Sequence, residues 1–294
     1  MADGTAKPLP PRRPEFERIL PPLGNVGDVA RPLSAFERLT NLAGARRIFL
    51  LLVLAAIWQA YGAWLSNALI FPPFSDVASA LWDSVLRRGL LWRAWSSITV
   101  LAKGYLIGVV LALAITALAV STRIGSDLLS TLTAMFNPLP AIALLPIALL
   151  WFGLGETSLV FVLVHSVLWP LALNTHAGFT AVSDTLRMAG RNYGLTGIRY
   201  VVHILIPAAF PSILAGLKIA WAFAWRTLIA AELVFGVSSR SGGLGWFIFE
   251  NRNQLETAYV FAGLFTVIVI GLLVESVIFR TVEQHTVARW GMQR

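Results

Sequence analysis

The sequence predicts an all-α integral membrane protein with about six transmembrane helices, and three observations carry that expectation. Hydrophobic residues make up 57% of the 294-residue chain and charged residues 13%, with a mean hydropathy of +0.72; an ordinary soluble domain carries roughly 25% charged residues. The apolar residues gather in runs near or above the ~20 that a helix needs to cross a bilayer. The longest polar-bearing interruption between those runs, Asp184 to Pro207, itself has helical spacing.

Composition also excludes several classes of function. The chain has no cysteine, hence no disulfide framework, thiolate metal site or thiol nucleophile. Its net charge of +8 is almost all arginine, the lysines being Lys7, Lys103 and Lys218. In so apolar a chain this excess fits the basic residues kept on the cytoplasmic side of a membrane better than a nucleic-acid surface. The four histidines are scattered without metal-ligand spacing.

Taken in order, residues 1–33 hold seven of the 15 prolines and no apolar period, which predicts a disordered tail rather than a cleavable signal peptide. Ser34 and Glu37 fit a capping box. Leu33, Phe36, Leu39 and Leu42 make one apolar stripe, predicting an interfacial helix over 34–46. The transmembrane domain is expected over 47–294. Its first span is about Ile48 to Leu65, followed by Phe71-Pro72-Pro73 and Asp76, a segment too polar and broken to cross. The second span is Ile98 to Val120. The third, Leu128 to Trp151, contains Pro138, Pro140 and Pro146 and must be kinked. The fourth runs from Leu159 to Leu173 and extends past His176, the fifth from Pro211 to Val237, and the sixth from Thr257 to Phe279.

Between the fourth and fifth spans, Leu186, Ala189, Gly190 and Tyr193 fall on one face of a short helix that Gly194 ends. Ile198, Val201, Val202 and Leu205 repeat the spacing, and Pro207 is expected to stop this second helix. Arg187, Arg191, Arg199 and His203 take the other faces. Such a hairpin is either a docking element for a soluble partner or an amphipathic connector lying on the membrane. With both termini inside, basic residues number 15 in cytoplasmic segments and five outside. That ratio predicts a cytoplasmic hairpin at 184–207, although the Arg87 to Arg93 cluster runs against it.

Intramembrane charges point to a pathway, because each costs about 2.5 to 3.5 kcal/mol at the bilayer centre. The fifth span carries Lys218, Arg226 and Glu232, and Lys218, Trp221 and Trp225 share a cationic-aromatic face. Arg226 cannot deprotonate, so it either lines a cavity that favours anions or forms an internal ion pair with Glu232 or Glu275. Pro138 and Pro140 either bend the third span at a gate or kink it for packing alone. Lys103 is expected to snorkel to the outer surface, and His165, beside Ser166, to be a hydrogen-bonded packing residue.

The spacing from Ala189 to Gly194 to Ile204-Leu205-Ile206-Pro207 resembles the coupling motif of bacterial ABC importer permeases, read as EAA, three residues, G, nine residues, I-x-L-P. Phe71-Pro72-Pro73 with Asp76-Val77 looks like the nitrate/sulfonate/taurine subfamily of these permeases. So do Pro138-Leu139-Pro140-Ala141 through Gly153-Leu154-Gly155-Glu156, Ala230-Ala231-Glu232 and Gly243-Leu244-Gly245. The resemblance extends from about residue 47 to Trp290. One departure stands out: Met188 occupies the place of the glutamate, and Gly190 that of the second alanine.

The resemblance implies a type I ABC importer permease fold in the bacterial inner membrane, with Met188, Ala189, Gly190, Gly194, Ile204, Ile206 and Pro207 coupling to an ATPase. It implies a second permease copy, two cytoplasmic ATPase subunits that bind ATP and Mg²⁺, and a periplasmic binding protein. The chain itself is expected to hold no cofactor, and with no G-x-x-x-x-G-K-[ST] phosphate loop it is not expected to hydrolyse ATP. Ser241-Gly242-Gly243-Leu244-Gly245 resembles an ATPase signature faintly, and its predicted periplasmic position makes it a turn. The expected cargo is a small anion: a sulfonate or taurine, nitrate, bicarbonate or an aromatic carboxylate. Two other classes compete. An ATP-independent secondary transporter or channel would call for paired broken helices in two related halves, and no internal repeat is seen. An intramembrane enzyme would call for converging acids and histidines, and these do not cluster.

Overall fold

The computed structural model describes residues 42–235 and 242–289. The expected tail, residues 34–41 of the interfacial helix, residues 236–237 of the fifth span, Arg240, Ser241 and residues 290–294 lie outside the described residues. By internal contacts the chain divides into two units, Met1–Val53 and Leu54–Arg294. The described part of the first is the opening half of helix α1 (Ala43–Leu65), where Ile48, Phe49, Leu50, Leu51 and Leu52 are all exposed. Residues 43–46 are continuous with this helix.

In the second unit, the end of α1 meets the Phe71-Pro72-Pro73 turn. Trp58 Nε1 donates to the Pro72 carbonyl at 3.0 Å, and the Ser75 N–H donates to Gln59 Oε1 at 2.9 Å. A β-carbon on Gly62 would lie 2.8 Å from Pro73 Cα, so glycine permits this approach. The chain continues as α2 (Phe74–Leu86), α3 (Leu90–Ala119), α4 (Arg123–Phe136), a 3₁₀ turn (Ala141–Leu144), α5 (Leu145–Phe152), α6 (Glu156–Thr180) and α7 (Asp184–Asn192). Next come α8 (Gly197–Tyr200), a π turn (Val201–Leu205), α9 (Ile206–Phe235), α10 (Leu244–Asn253), α11 (Thr257–Leu273), a second π turn (Val274–Phe279) and α12 (Arg280–His285). Among the described residues every regular element is helical.

Five helical runs are long and apolar enough to cross a membrane, and a bent pair makes a sixth crossing if counted as one span. The core centres on α6, which packs most extensively against α9 and α3. Close approach here depends on small residues. A β-carbon on Gly104 would lie 2.5 Å from Leu163 Cβ, and one on Gly108 would lie 2.7 Å from Val167 Cβ. On the other side of α6, a β-carbon on Gly178 would meet Ser212 Cβ at 2.7 Å, and one on Gly216 would meet Asn174 Cβ at 2.8 Å. In lipid, where apolar surface alone does not drive helices together, such stripes let backbones reach van der Waals contact.

Two expectations are corrected. The third span is not one kinked helix: Arg123–Phe136 and Ala141–Phe152 meet at 87°. Pro138 and Pro140 lack the N–H, and each also disfavours helix for the residue before it. Pro146 does not contribute, because it sits in the first turn of α5, where no N–H is needed. Pro207 does not stop the second hairpin helix, and the helix that carries the fifth span begins well before Pro211. The helical run is continuous over Gly197–Val234. The Ile206 N–H bonds back to the Val201 carbonyl across the π turn. Pro207 then falls in the first turn of α9, where a missing donor is tolerated.

The Arg87 to Arg93 cluster is neutralised locally. Arg88 pairs with Glu256 and, at 3.4 Å, with Asp83, and its guanidinium lies 3.6 Å from the centre of the Tyr259 ring. The hydrogen bond to Glu256 holds Arg88 above its ordinary pKa. Arg93 pairs with Glu250 at 2.9 Å. These contacts join α2, α3, α10 and α11 at one end of the bundle.

Candidate functional site

Two places gather the residues singled out by sequence. The first is the α7–α8 hairpin. The Gly194 N–H donates to the Arg191 carbonyl at 2.9 Å and the Leu195 N–H to the Gly190 carbonyl at 3.1 Å. This pair of bonds closes the end of α7 with Gly194 in the left-handed region at φ 72°. Gly190 is buried, with the position of its missing β-carbon 2.8 Å from Ile204 Cγ1, so α7 rests directly on the second limb. Arg187 turns away from solvent: its Nε donates to the Val182 carbonyl at 3.0 Å, and a terminal nitrogen donates to the Phe179 carbonyl. It thereby caps the end of α6 and ties the hairpin to the core. Met188, Tyr193, Ile198 and Val202 remain exposed as an apolar outer face. Ala189, Ile204 and Ile206 are half-buried, and Pro207 is exposed. The expected grouping of Gly190 with Tyr193 on one face is corrected, since Gly190 points inward and Tyr193 is 87% exposed. The capped end rotates the chain between them.

The second place is a cavity of about 340 Å³ at the break in the third span, lined by Pro138, Pro140, His165, Trp169, Arg226 and Thr227 among others. The break supplies Phe136 and Asn137 from the end of α4, and Phe136 stacks on Trp169 with ring centres 5.0 Å apart. From α9, Arg226 Nε donates to the Ala222 carbonyl at 3.0 Å, and the guanidinium lies 4.9 Å from the Phe223 ring centre. Arg226 pairs with no carboxylate among the described residues. Its suggested partners are engaged elsewhere: Glu275 lies 3.7 Å from Lys218, while Glu232 takes the Ser97 hydroxyl and the Gly245 N–H. Asn137 Oδ1 and both His165 nitrogens are buried without a hydrogen-bond partner among the described residues. His165 is therefore not the hydrogen-bonded residue expected; its neighbour Ser166 bonds Thr227 at 3.1 Å, across to α9. The cavity combines aromatic walls, one permanent cation and spare polar atoms, a set suited to a small anion with an apolar part.

The other candidates lie away from it. Lys218 pairs with Glu283 at 2.8 Å, which joins α9 to α12. Trp221 and Trp225 stack with ring centres 6.4 Å apart, and Trp225 Nε1 donates to the Val267 carbonyl at 3.3 Å. Glu232 is buried between α3, α9 and α10. Lys103, expected to reach for the surface alone, meets Glu156 at 2.6 Å at the start of α6. Sequence reasoning missed Phe136, Asn137 and Trp169; the available signals were the adjacency of the first two to Pro138 and the i, i+4 spacing of Trp169 from His165.

Residues 104–283 match the family described as "Binding-protein-dependent transport system inner membrane component". The chain belongs to that family. This ABC transporter permease is similar to the putative aliphatic sulfonates transport permease protein of Escherichia coli (strain K12), being 32% identical over 77% of its own length and 85% of the relative's. It is 30% identical to the nitrate import permease protein of Synechocystis sp., over 70% of its own length and 72% of that protein. With the taurine transport system permease protein of Escherichia coli (strain K12) it shares 31% identity over 50% of its length and 52% of that protein. The permease thus groups with the nitrate, sulfonate and taurine permeases. Its apolar helices make it a multi-pass inner-membrane component.

Proposed function

We propose that the permease is the membrane subunit of an ATP-driven importer and forms the translocation pathway for a small anion, with the cavity at the proline break as its cargo contact. The observation that carries this reading is Arg226, a permanent cation on a membrane span with no carboxylate partner among the described residues. Exposed to lipid, such a charge costs several kcal/mol; facing an aqueous pathway, it selects for anions. Aromatic walls from Phe136, Trp169 and Phe223 favour an organic anion, a sulfonate or carboxylate, over nitrate or bicarbonate. The relatives are named for sulfonates and taurine and also for nitrate and bicarbonate, so the preference rests on these walls.

In this reading both termini and the α7–α8 hairpin are cytoplasmic, supported by the excess of 15 basic residues over five. A second permease copy completes the pathway. Two ATPase subunits, which bind ATP and Mg²⁺, seat on the exposed face of Met188, Tyr193, Ile198 and Val202, and a periplasmic binding protein delivers the cargo. ATP-driven movement of the hairpin reaches the core through Arg187 and through Gly190 against Ile204.

The test is uptake of a labelled alkyl or aryl sulfonate by the reconstituted transporter with its ATPase and binding protein. Uptake should require ATP and fall at least tenfold with Arg226→Gln. Full uptake by an assembled Arg226→Gln transporter rejects the cavity as the cargo contact, and uptake without ATP rejects the importer reading.

A further inference from the structure

A larger cavity, about 540 Å³, lies beside the hairpin, walled by the first turn of α4, the end of α6 and the second hairpin limb. Arg123, Arg187 and Arg191 line it, and no carboxylate is among its lining residues. Arg187 is committed to the carbonyls at the end of α6. Arg123 and Arg191 have no ion-pair partner among the described residues. The Tyr200 hydroxyl, which belongs to the same wall, is buried and has no hydrogen-bond partner among the described residues. Thr122 caps α4 by accepting from the Gly125 N–H at 3.0 Å, so the partial positive charge of this helix end adds to the arginines.

The depth of the cavity matters as much as its charge. The runs Leu90–Ala119 and Glu156–Thr180 end beside it, and Gly197–Val234 begins there. It therefore lies at the hairpin end of the bundle, beyond the ends of two apolar runs, where a phosphate group can reach it. We infer that this cavity binds a phosphate group, carried by an anionic lipid or by soluble phosphate. Guanidinium groups suit phosphate because they pair with two of its oxygens at once, and a buried phenol supplies a further donor. Occupancy would link α4 to Arg191 and Tyr200 and so brace the hairpin against the bundle. This site is separate from the cavity at the proline break.

Native mass spectrometry of the full-length permease with phosphatidylglycerol or phosphatidylcholine, together with melting in inorganic phosphate, tests the inference. Retained phosphatidylglycerol should fall about fivefold for each arginine removed in Arg123→Gln and Arg191→Gln. It should fall less in Tyr200→Phe, a change small enough to serve if the arginine variants do not fold. Selective loss of phosphatidylglycerol in the variants supports a lipid source. Loss of a phosphate-induced melting shift, with lipid retention unchanged, supports soluble phosphate. Wild type and variants that match in both measurements, or wild type that holds the two lipids equally and gives no phosphate shift, would overturn it.

Discussion

The Ser97 hydroxyl lies 2.8 and 2.9 Å from the two carboxylate oxygens of Glu232 and accepts the Leu244 N–H at 2.9 Å. With the Gly245 N–H on Glu232 Oε2 at 2.8 Å, these bonds join α3, α9 and α10. Gly243 and Gly245 permit the approach, since a β-carbon on Gly245 would lie 2.6 Å from both Glu232 Cβ and the Ile229 carbonyl oxygen. Glu232→Ala strands the hydroxyl and an amide, each costing about 1–3 kcal/mol when buried unpaired. The melting temperature in detergent should drop clearly, and Ser97→Ala should drop it less. A Glu232→Ala protein that melts like wild type yet transports nothing would instead place this carboxylate in the pathway.

Much of the fold was legible because composition decides it: five spans lie close to where apolar runs put them, and the third breaks at its prolines. The side-chain pairings were not. Ser97 precedes Glu232 by 135 residues and Lys218 precedes Glu283 by 65, so helical periodicity on α9 could show three charged residues but not which of them were satisfied. Arg226 was singled out by sequence, but that it makes neither suggested ion pair showed only with the partners of Glu232 and Glu275. The hairpin was legible in its glycine and misread in its faces, because α7 ends at Asn192 and Tyr193, already past the helix, does not share the face of Gly190.

Lys218 and Arg226, both on α9, should separate cleanly on mutation. Lys218→Met removes pairs with Glu283 and Glu275 that are partly exposed, so about 1 kcal/mol of stability is expected to go while the cargo affinity stays within about twofold. Arg226→Gln has no ion pair to lose among the described residues. Its stability should match wild type, while the apparent KM for an anionic cargo rises about 10- to 100-fold, the size of a charged hydrogen bond of 1.5–3 kcal/mol. Arg226→Lys should recover part of that affinity. Melting curves and uptake kinetics on the same three proteins decide the matter.

Packing between α3 and α6 should be intolerant of one methyl group. Gly104→Ala places its β-carbon 2.5 Å from Leu163 Cβ, so the helices must part, at a cost of about 1–3 kcal/mol. Adding Leu163→Ala should not rescue it, because the atom met is the β-carbon that alanine keeps. Gly44→Ala is the control. Nothing lies within 4 Å of a β-carbon there, and alanine in a helix is favoured over glycine by about 1 kcal/mol. Equal melting temperatures for the two variants would contradict the close α3–α6 contact.

The hairpin allows shape and surface to be tested apart. Gly194 holds φ 72°, where an L-residue costs about 1–2 kcal/mol, so Gly194→Val should loosen the end of α7 and weaken ATPase co-purification together. Tyr193→Asp and Ile198→Asp change side chains that are 87% and 66% exposed. They should leave the melting temperature within about 1 °C, as surface substitutions do, while reducing the recovered ATPase about tenfold through loss of apolar contact. Met188→Glu should be milder than either, since it supplies the acid that the related coupling motif carries on a side chain already facing outward. If Tyr193→Asp and Ile198→Asp retain the ATPase in full, the partner does not seat on this face, and the buried side of α7, where Gly190 meets Ile204, is left as a packing contact alone.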